Sequence, residues 1–280
     1  GCIECFNAQA IKAGKIASKD VTTRRLIVEH SSRALAKHSM SAPPPVMGKK
    51  IQDIVKKLSR TKDPYRSIKE ETNRLALSLY PLLVSMVKKS KDPLATAVKI
   101  SMAGNTIDFG VEHKFDIKKE IRQIVTHKPA VFDYKPFVTA LRKSRTILIL
   151  GDNAGETVFD RVLIEQIKEL KGRDLKVYYA VKSAPIINDA LYSDAVFAGL
   201  DKCAIIVKSG SVYPGTLPRF CTPAFKKLYR RADMVISKGQ GNYEFLNGAE
   251  REIFFLLKAK CKVVAKALGV KIGKLVLKKK

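Results

Sequence analysis

Five short segments of the 280-residue sequence bring together side chains able to bind a cation or a phosphate. They are Gly104-Asn105-Thr106-Ile107-Asp108-Phe109, Gly151-Asp152-Asn153-Ala154-Gly155-Glu156, Pro185-Ile186-Ile187-Asn188-Asp189, Ser209-Gly210-Ser211 with the following Pro214-Gly215-Thr216, and Lys238-Gly239-Gln240-Gly241-Asn242. Asp152, Asp189 and the amide oxygen of Asn153 form the hard oxygen set preferred by Mg²⁺, Mn²⁺ and similar divalent ions, which keep further positions for water and substrate phosphate. Lys238 among glycines suits a phosphate clamp, because glycines let backbone amides approach an anion closely. Each residue also has a plainer use. Asp152, Asn153 and Asp189 are good helix caps, Lys238 is one lysine among many, and Ser209-Gly210 and Gly215-Thr216 are common turn residues. Spacing alone leaves both uses open.

Other chemistries have weaker support. Cys2 and Cys5 form a C-x-x-C that a helix would place on one face, yet Cys203, Cys221, Cys261 and the four histidines show no zinc-ligand spacing with it. There is no G-x-S-x-G, and His30, His38, His113 and His127 all precede residue 145, so a hydrolase triad is not expected.

The elements that must position these residues change character along the chain. Up to residue 144 the apolar spacing is helical, with helices expected at 2–16, 20–38, 48–60, 64–89, 93–103 and 116–126 and no strand. Asp63-Pro64 and Asp92-Pro93 read as helix starts, and Pro43-Pro44-Pro45 reads as a rigid connector. From Thr146 onward short apolar runs (146–150, 175–181, 203–207, 233–237) alternate with helical stretches (155–170, 188–198, 222–231), the pattern of a parallel sheet buried on both faces. A further strand is expected at 252–257 and a last edge strand at 271–277, while 260–268 is ambiguous. The expected fold class is therefore α/β, a three-layer α/β/α domain with a mainly parallel sheet over residues 145–280, preceded by an all-helical portion over residues 1–144. In such a sheet ligands gather outside the carboxyl ends of the strands, where four of the five segments fall. Segment 103–110 is placed to lean over them as a lid.

Composition bounds the rest. At 46% hydrophobic and 28% charged, the chain is neither disordered nor collagen-like. No apolar run is long enough for a membrane helix, no signal-peptide pattern opens the sequence, and five scattered cysteines fit a reducing compartment, so a cytoplasmic protein is expected. The net charge of +27 is spread over both halves, although nine lysines and no acid follow from Lys258 onward. It suits an anionic substrate or weak polyanion binding, but no nucleic-acid-reading motif accompanies it.

Taken together and in this order, the five segments resemble the DUF89 family of metal-dependent damage-control phosphatases, and the leading C-x-x-C is similar to its archaeal and bacterial branch. The resemblance covers nearly the whole chain. It implies a divalent ion (Mn, Co, Ni or Mg) on Asp152, Asn153 and Asp189, and hydrolysis of small phosphate monoesters such as sugar phosphates or related damaged phosphometabolites. The expected catalytic set is Asp152, Asn105 and Lys238. The expected phosphate-contacting set is Asn105, Asp108, Glu156, Ser209, Gly210, Lys238 and Gly239. A D-x-D nucleophile signature is absent, since Ala154 stands where its second aspartate would be. Two rivals are an S-adenosylmethionine-dependent carboxyl methyltransferase, disfavoured by the lack of a glycine triplet after the first strand, and a polyanion- or nucleic-acid-binding protein. The expected partner is a small phosphorylated metabolite, with no specific nucleic acid and no membrane; the pattern says nothing of oligomeric state.

Overall fold

A computed structural model describes residues 2–37, 42–105, 117–172 and 174–280. Asp108, His38, His113 and the segment 106–110 lie outside the described residues. The chain begins with α1 (Cys2–Ala17), α2 (Val21–Ala36) and α3 (Pro44–Ser59), which bury Ala10, Ala13, Ile27, Met47, Ile51 and Val55 in a core of their own. Pro44 and Pro45 open α3 rather than acting as a connector: proline lacks only an N–H that has no partner in the first turn, and its φ is already helical. Next come α4 (Arg66–Lys88), α5 (Pro93–Gly104) and α6 (Ile117–Thr126). Asp92 caps α5 by accepting from the Ala95 N–H at 2.9 Å.

Residues 1–144 are not all helical. A two-residue strand β1 (Val131–Phe132) joins the sheet ahead of α7 (Tyr134–Lys143), and two residues carry no periodicity by which to recognise them. From there β2 (Thr146–Leu150), β3 (Lys176–Val181), β4 (Ile205–Lys208), β5 (Met234–Lys238) and β6 (Phe254–Lys258) lie parallel, in the order β6-β5-β2-β3-β4. The last strand, β7 (Leu275–Lys279), starts after a turn at Gly273 (φ +84°) and runs antiparallel to β6. It is not at the edge, because β1 pairs with its other side.

The connecting helices are α8 (Glu156–Lys171), α9 (Tyr192–Phe197), α10 (Pro223–Arg231), α11 (Gly239–Leu246) and α12 (Lys262–Leu268). The ambiguous 260–268 stretch is thus helix α12, ended by Gly269 at φ +68°. Helix α9 starts four residues later than its sequence pattern suggests, since Asn188, Asp189 and Ala190 bond instead to the turn after β2. The glycine-bearing segment after β5 forms the first turn of α11.

β2 shows why the three layers form. Ile147 and Ile149 point into a core shared with α4–α8, while Leu148 and Leu150 point into the opposite core with α10–α12, so its run is apolar at every position. β2 has β3 on one side and β5 on the other, so the chain leaves β2 one way and returns past it to β5. The crevice between their carboxyl ends is the switch point of the sheet. No helix among the described residues is long and apolar enough to cross a membrane.

Ile149 is fully buried in the central strand. Ile149→Ala is expected to lower unfolding free energy by about 2–5 kcal/mol with little change in m-value, read by urea denaturation; a loss below about 1 kcal/mol would show that β2 is not at the centre of the core.

Candidate functional site

Asp152 follows β2 directly, and the turn that carries it is fixed from three sides. The Ala190 N–H donates to the Asp152 carbonyl at 2.8 Å, the Ala154 N–H to the Asn188 carbonyl at 2.9 Å, and Asn153 and Asp189 pair as an isolated antiparallel bridge. This pairing brings residues 36 positions apart side by side. The amino-terminal helices brace both loops. Asn73 on α4 accepts from the Gly155 N–H at 2.6 Å and donates to Asp194 at 2.7 Å, Lys56 on α3 donates to the Pro185 carbonyl, and Ile187 packs on the α1–α3 core.

Close backbone approaches complete the arrangement. Gly239, at φ +78°, lies so near the Asp152 carboxylate that a Cβ there would sit 1.9 Å from Oδ2; only glycine fits that contact and that conformation. Asn242 holds the start of α11 in place by donating to the Lys238 carbonyl at 2.7 Å and the Gly151 carbonyl at 3.3 Å.

Around this turn is a buried polar cluster. The Lys238 ammonium, fully buried, donates to Glu156 Oε1 at 2.6 Å, Asp160 Oδ1 at 2.5 Å and the Ser101 carbonyl at 2.9 Å. Asp160 also accepts from the Ser101 hydroxyl at 2.6 Å and the Tyr179 hydroxyl at 2.8 Å. Asn105 bridges two acids, donating to Asp152 Oδ2 at 2.8 Å and Glu156 Oε2 at 3.0 Å, and its oxygen accepts from the Lys258 N–H at 3.4 Å. Asn153 donates to Asp152 Oδ2 at 2.9 Å. On the β3 side Lys182 stands 3.6 Å from Asp189 Oδ2 and donates to Thr216 at 3.0 Å.

Of the residues singled out in the sequence, the structure brings Asn105, Asp152, Asn153, Glu156, Asp189, Lys238 and Gly239 together. Lys238 already has three acceptors for its three N–H bonds, so a direct phosphate contact would require exchanging one of them. Ser209 and Gly210 serve their turn: the Ser209 hydroxyl donates to the Val181 carbonyl at 3.0 Å and the Gly210 N–H donates to Ser183 at 2.7 Å. Asp108 lies outside the described residues. The sequence reading missed Asp160, Ser101, Tyr179 and Lys182. Two of these had a signal: Asp160 is one helical turn after Glu156, and Lys182 ends an apolar strand as Lys238 does.

The charges do not balance. Among the described residues of this cluster, Asp152, Glu156, Asp160 and Asp189 are buried beside two buried ammonium groups, Lys182 and Lys238. Burial, with the Glu156 charge adding to it, pushes the Asp152 carboxyl up to about 6; burial pushes Asp189 up to about 7, opposed by Lys182. Burial alone would lower the Lys238 ammonium, but Asp160 and Glu156 outweigh it and hold it above its ordinary range. Asp189 Oδ2 is buried with no hydrogen-bond partner. A divalent cation fits this setting, with a buried acceptor that has the Lys182 charge nearby but no hydrogen bond, two carboxylates destabilised by confinement, and, among the described residues of the cluster, an excess of about two negative charges if all four acids ionise. No group of three His, Cys, Asp or Glu placed to hold a metal ion occurs among the described residues. A site here could draw on Asp152, Asp189 and the Asn153 oxygen, with the remaining positions left to water and phosphate, as is usual for Mg²⁺-like ions.

The chain as a whole is similar to known proteins. The family model of the damage-control phosphatase ARMT1-like domain matches residues 1–276. A damage-control phosphatase of Pyrococcus horikoshii is 33% identical, over 98% of this chain and 95% of that protein. A damage-control phosphatase of Archaeoglobus fulgidus is 32% identical over 99% and 97%. The crystal structure of a DUF89 family protein from Pyrococcus horikoshii superposes with a TM-score of 0.91 at 33% identity, covering 99% of this chain and 96% of that one.

The raised carboxyls carry a pH signature in chelator-treated protein. A carboxyl whose folded pKa exceeds its unfolded value near 3.8 binds its proton more tightly in the folded state, so it adds stability as pH falls through the folded value and takes it away as pH rises. The stability of wild type relative to Asp189→Asn is therefore expected to improve as pH is lowered through about 7 toward about 5, measured by denaturation at matched ionic strength. A difference that does not vary with pH, or that moves the other way, would contradict the placement of Asp189.

Proposed function

The chain belongs to the damage-control phosphatase ARMT1-like (DUF89) family, and from that premise we propose that it is a metal-dependent phosphatase hydrolysing small phosphate monoesters at the carboxyl ends of β2, β3 and β5. The observation that carries the reading is the buried Asp152–Asp189 pair, joined through the Asn153–Asp189 bridge, with an Asp189 oxygen that accepts no hydrogen bond in a cluster short of positive charge. A divalent ion held by Asp152, Asp189 and Asn153 would supply Lewis-acid polarisation of a phosphate oxygen.

The remaining work falls to the chain's own residues. Asn105 fixes the orientation of Asp152 and Glu156 by donating one N–H to each. Lys238 balances Glu156 and Asp160 and keeps their carboxylates from repelling Asp152 out of place. Tyr179 and Ser101 hold Asp160 on its other sides, so the cluster reorganises little when charge develops on a transferring phosphoryl group. Gly239 keeps the first turn of α11 against Asp152, which leaves backbone N–H groups of a helix start close to the place an anion would occupy. The surplus of basic residues elsewhere favours the approach of an anionic substrate.

Release of inorganic phosphate from an aryl phosphate and from a panel of small phosphorylated metabolites, with each of Mn²⁺, Co²⁺, Ni²⁺ and Mg²⁺ and with EDTA, tests the proposal. Turnover that requires metal and stops with chelator is expected. Asp152→Ala and Asp189→Ala should lose more than about 100-fold, and Asn105→Ala about 10- to 100-fold, with folding retained by circular dichroism. Wild-type rates in either aspartate variant would remove the site, and turnover undiminished by EDTA would remove the metal.

A further inference from the structure

Helix α11 has the Asp152 turn at its amino end and a second feature along its side. Gln240, Tyr243, Glu244 and Asn247, spaced as one helical stripe, line a cavity of about 520 Å³ closed by α12 on one side and by α1 and Pro44 on the other. Resting on the phosphatase reading, we propose that this cavity receives the alcohol portion of the phosphate ester, and that this portion is an apolar chain or ring, not a polyol.

Three observations carry this. First, the cavity lies beside the site: Gln240 follows Gly239, the residue in contact with the Asp152 carboxylate, and Glu244 on the cavity wall is near enough to Asp152 for the Asp152 charge to add to burial in raising the Glu244 carboxyl. Second, the walls are largely apolar, with Phe6 from α1, Tyr243 from α11, and Val263, Val264 and Ala267 from α12. The volume is that of pockets that enclose small organic ligands. Third, the amides of the α11 stripe are engaged within the protein. The Gln240 amide donates to Glu244 at 2.8 Å and to the Cys261 sulfur at 3.5 Å, its oxygen accepts from the Lys260 N–H at 2.9 Å, and the Asn247 amide donates to the Tyr243 carbonyl at 3.0 Å. A sugar brought there would bury hydroxyls without partners, at a cost for each, whereas an apolar group would gain from leaving water.

Ala267 lines the cavity from a solvent-exposed position, so a larger side chain there fills it without overpacking the core. With metal present, wild type is expected to hydrolyse 1-naphthyl phosphate with a higher kcat/KM than glycerol 2-phosphate, and Ala267→Phe to lower the ratio of the two at least ten-fold. Preference for glycerol 2-phosphate, or an unchanged ratio in the variant, overturns the inference. Should neither ester be hydrolysed, the phosphatase reading falls separately, and fluorescence titration with 1-naphthyl phosphate decides the cavity: binding by wild type that is weakened in Ala267→Phe supports it, and equal binding or none overturns it.

Discussion

The buried ammonium of Lys238 is the interaction on which the site depends. It ends β5, yet its three hydrogen bonds reach α8 through Glu156 and Asp160 and α5 through the Ser101 carbonyl. One charge thus ties the central sheet to both helices that cover it at the switch point. Removing one partner of such a pair strands the other in a low-dielectric interior, at a cost of about 3–5 kcal/mol. The same bonds hold Glu156 where Asn105 can bridge it to Asp152. Structure and chemistry are therefore coupled here: the residues that orient Asp152 are the residues that clamp the layers together.

Close packing does the rest. Asp152 reaches its place because Gly239 has no side chain and adopts a positive φ, and Gly151 packs with its Cα against the Tyr179 ring, where a Cβ would come within 2.8 Å of ring carbon Cε1. The loops after β2 and β3 are bonded to each other by backbone, so Asp152, Asn153 and Asp189 are held by main-chain geometry before any ligand arrives. Helices α3 and α4, far earlier in the chain, brace those loops from outside.

Much of this could be read in the sequence, for physical reasons that vary by residue. The central strands such as β2 announced themselves because burial on both faces forces a continuous apolar run, as in Ile147 to Leu150. Residues at or beyond the carboxyl ends of those strands, such as Asp152, Asp189 and Lys238, could then be assigned to one end of the sheet. Ser101 and Tyr179 could not: they lie within regular elements, and their meeting with Asp160 beside Lys238 is decided by how α5 and α8 pack across the sheet. β1 was invisible because it owes its two pairs to the distant β7. The prolines opening α3 look the same in sequence whether they start a helix or stiffen a linker, and the decision lies in what Met47, Ile51 and Val55 can bury against α1 and α2.

The excess of buried carboxylate over buried ammonium is the central physical claim about the site, and direct titration of chelator-stripped protein with Mn²⁺, followed by the electron paramagnetic resonance of the free ion, tests it most directly. The account predicts one ion bound per chain, with protons released as Asp152 and Asp189 give them up on binding, and binding lost in Asp189→Asn while the fold persists. Absence of binding in the wild type, or binding unaltered in Asp189→Asn, would contradict it.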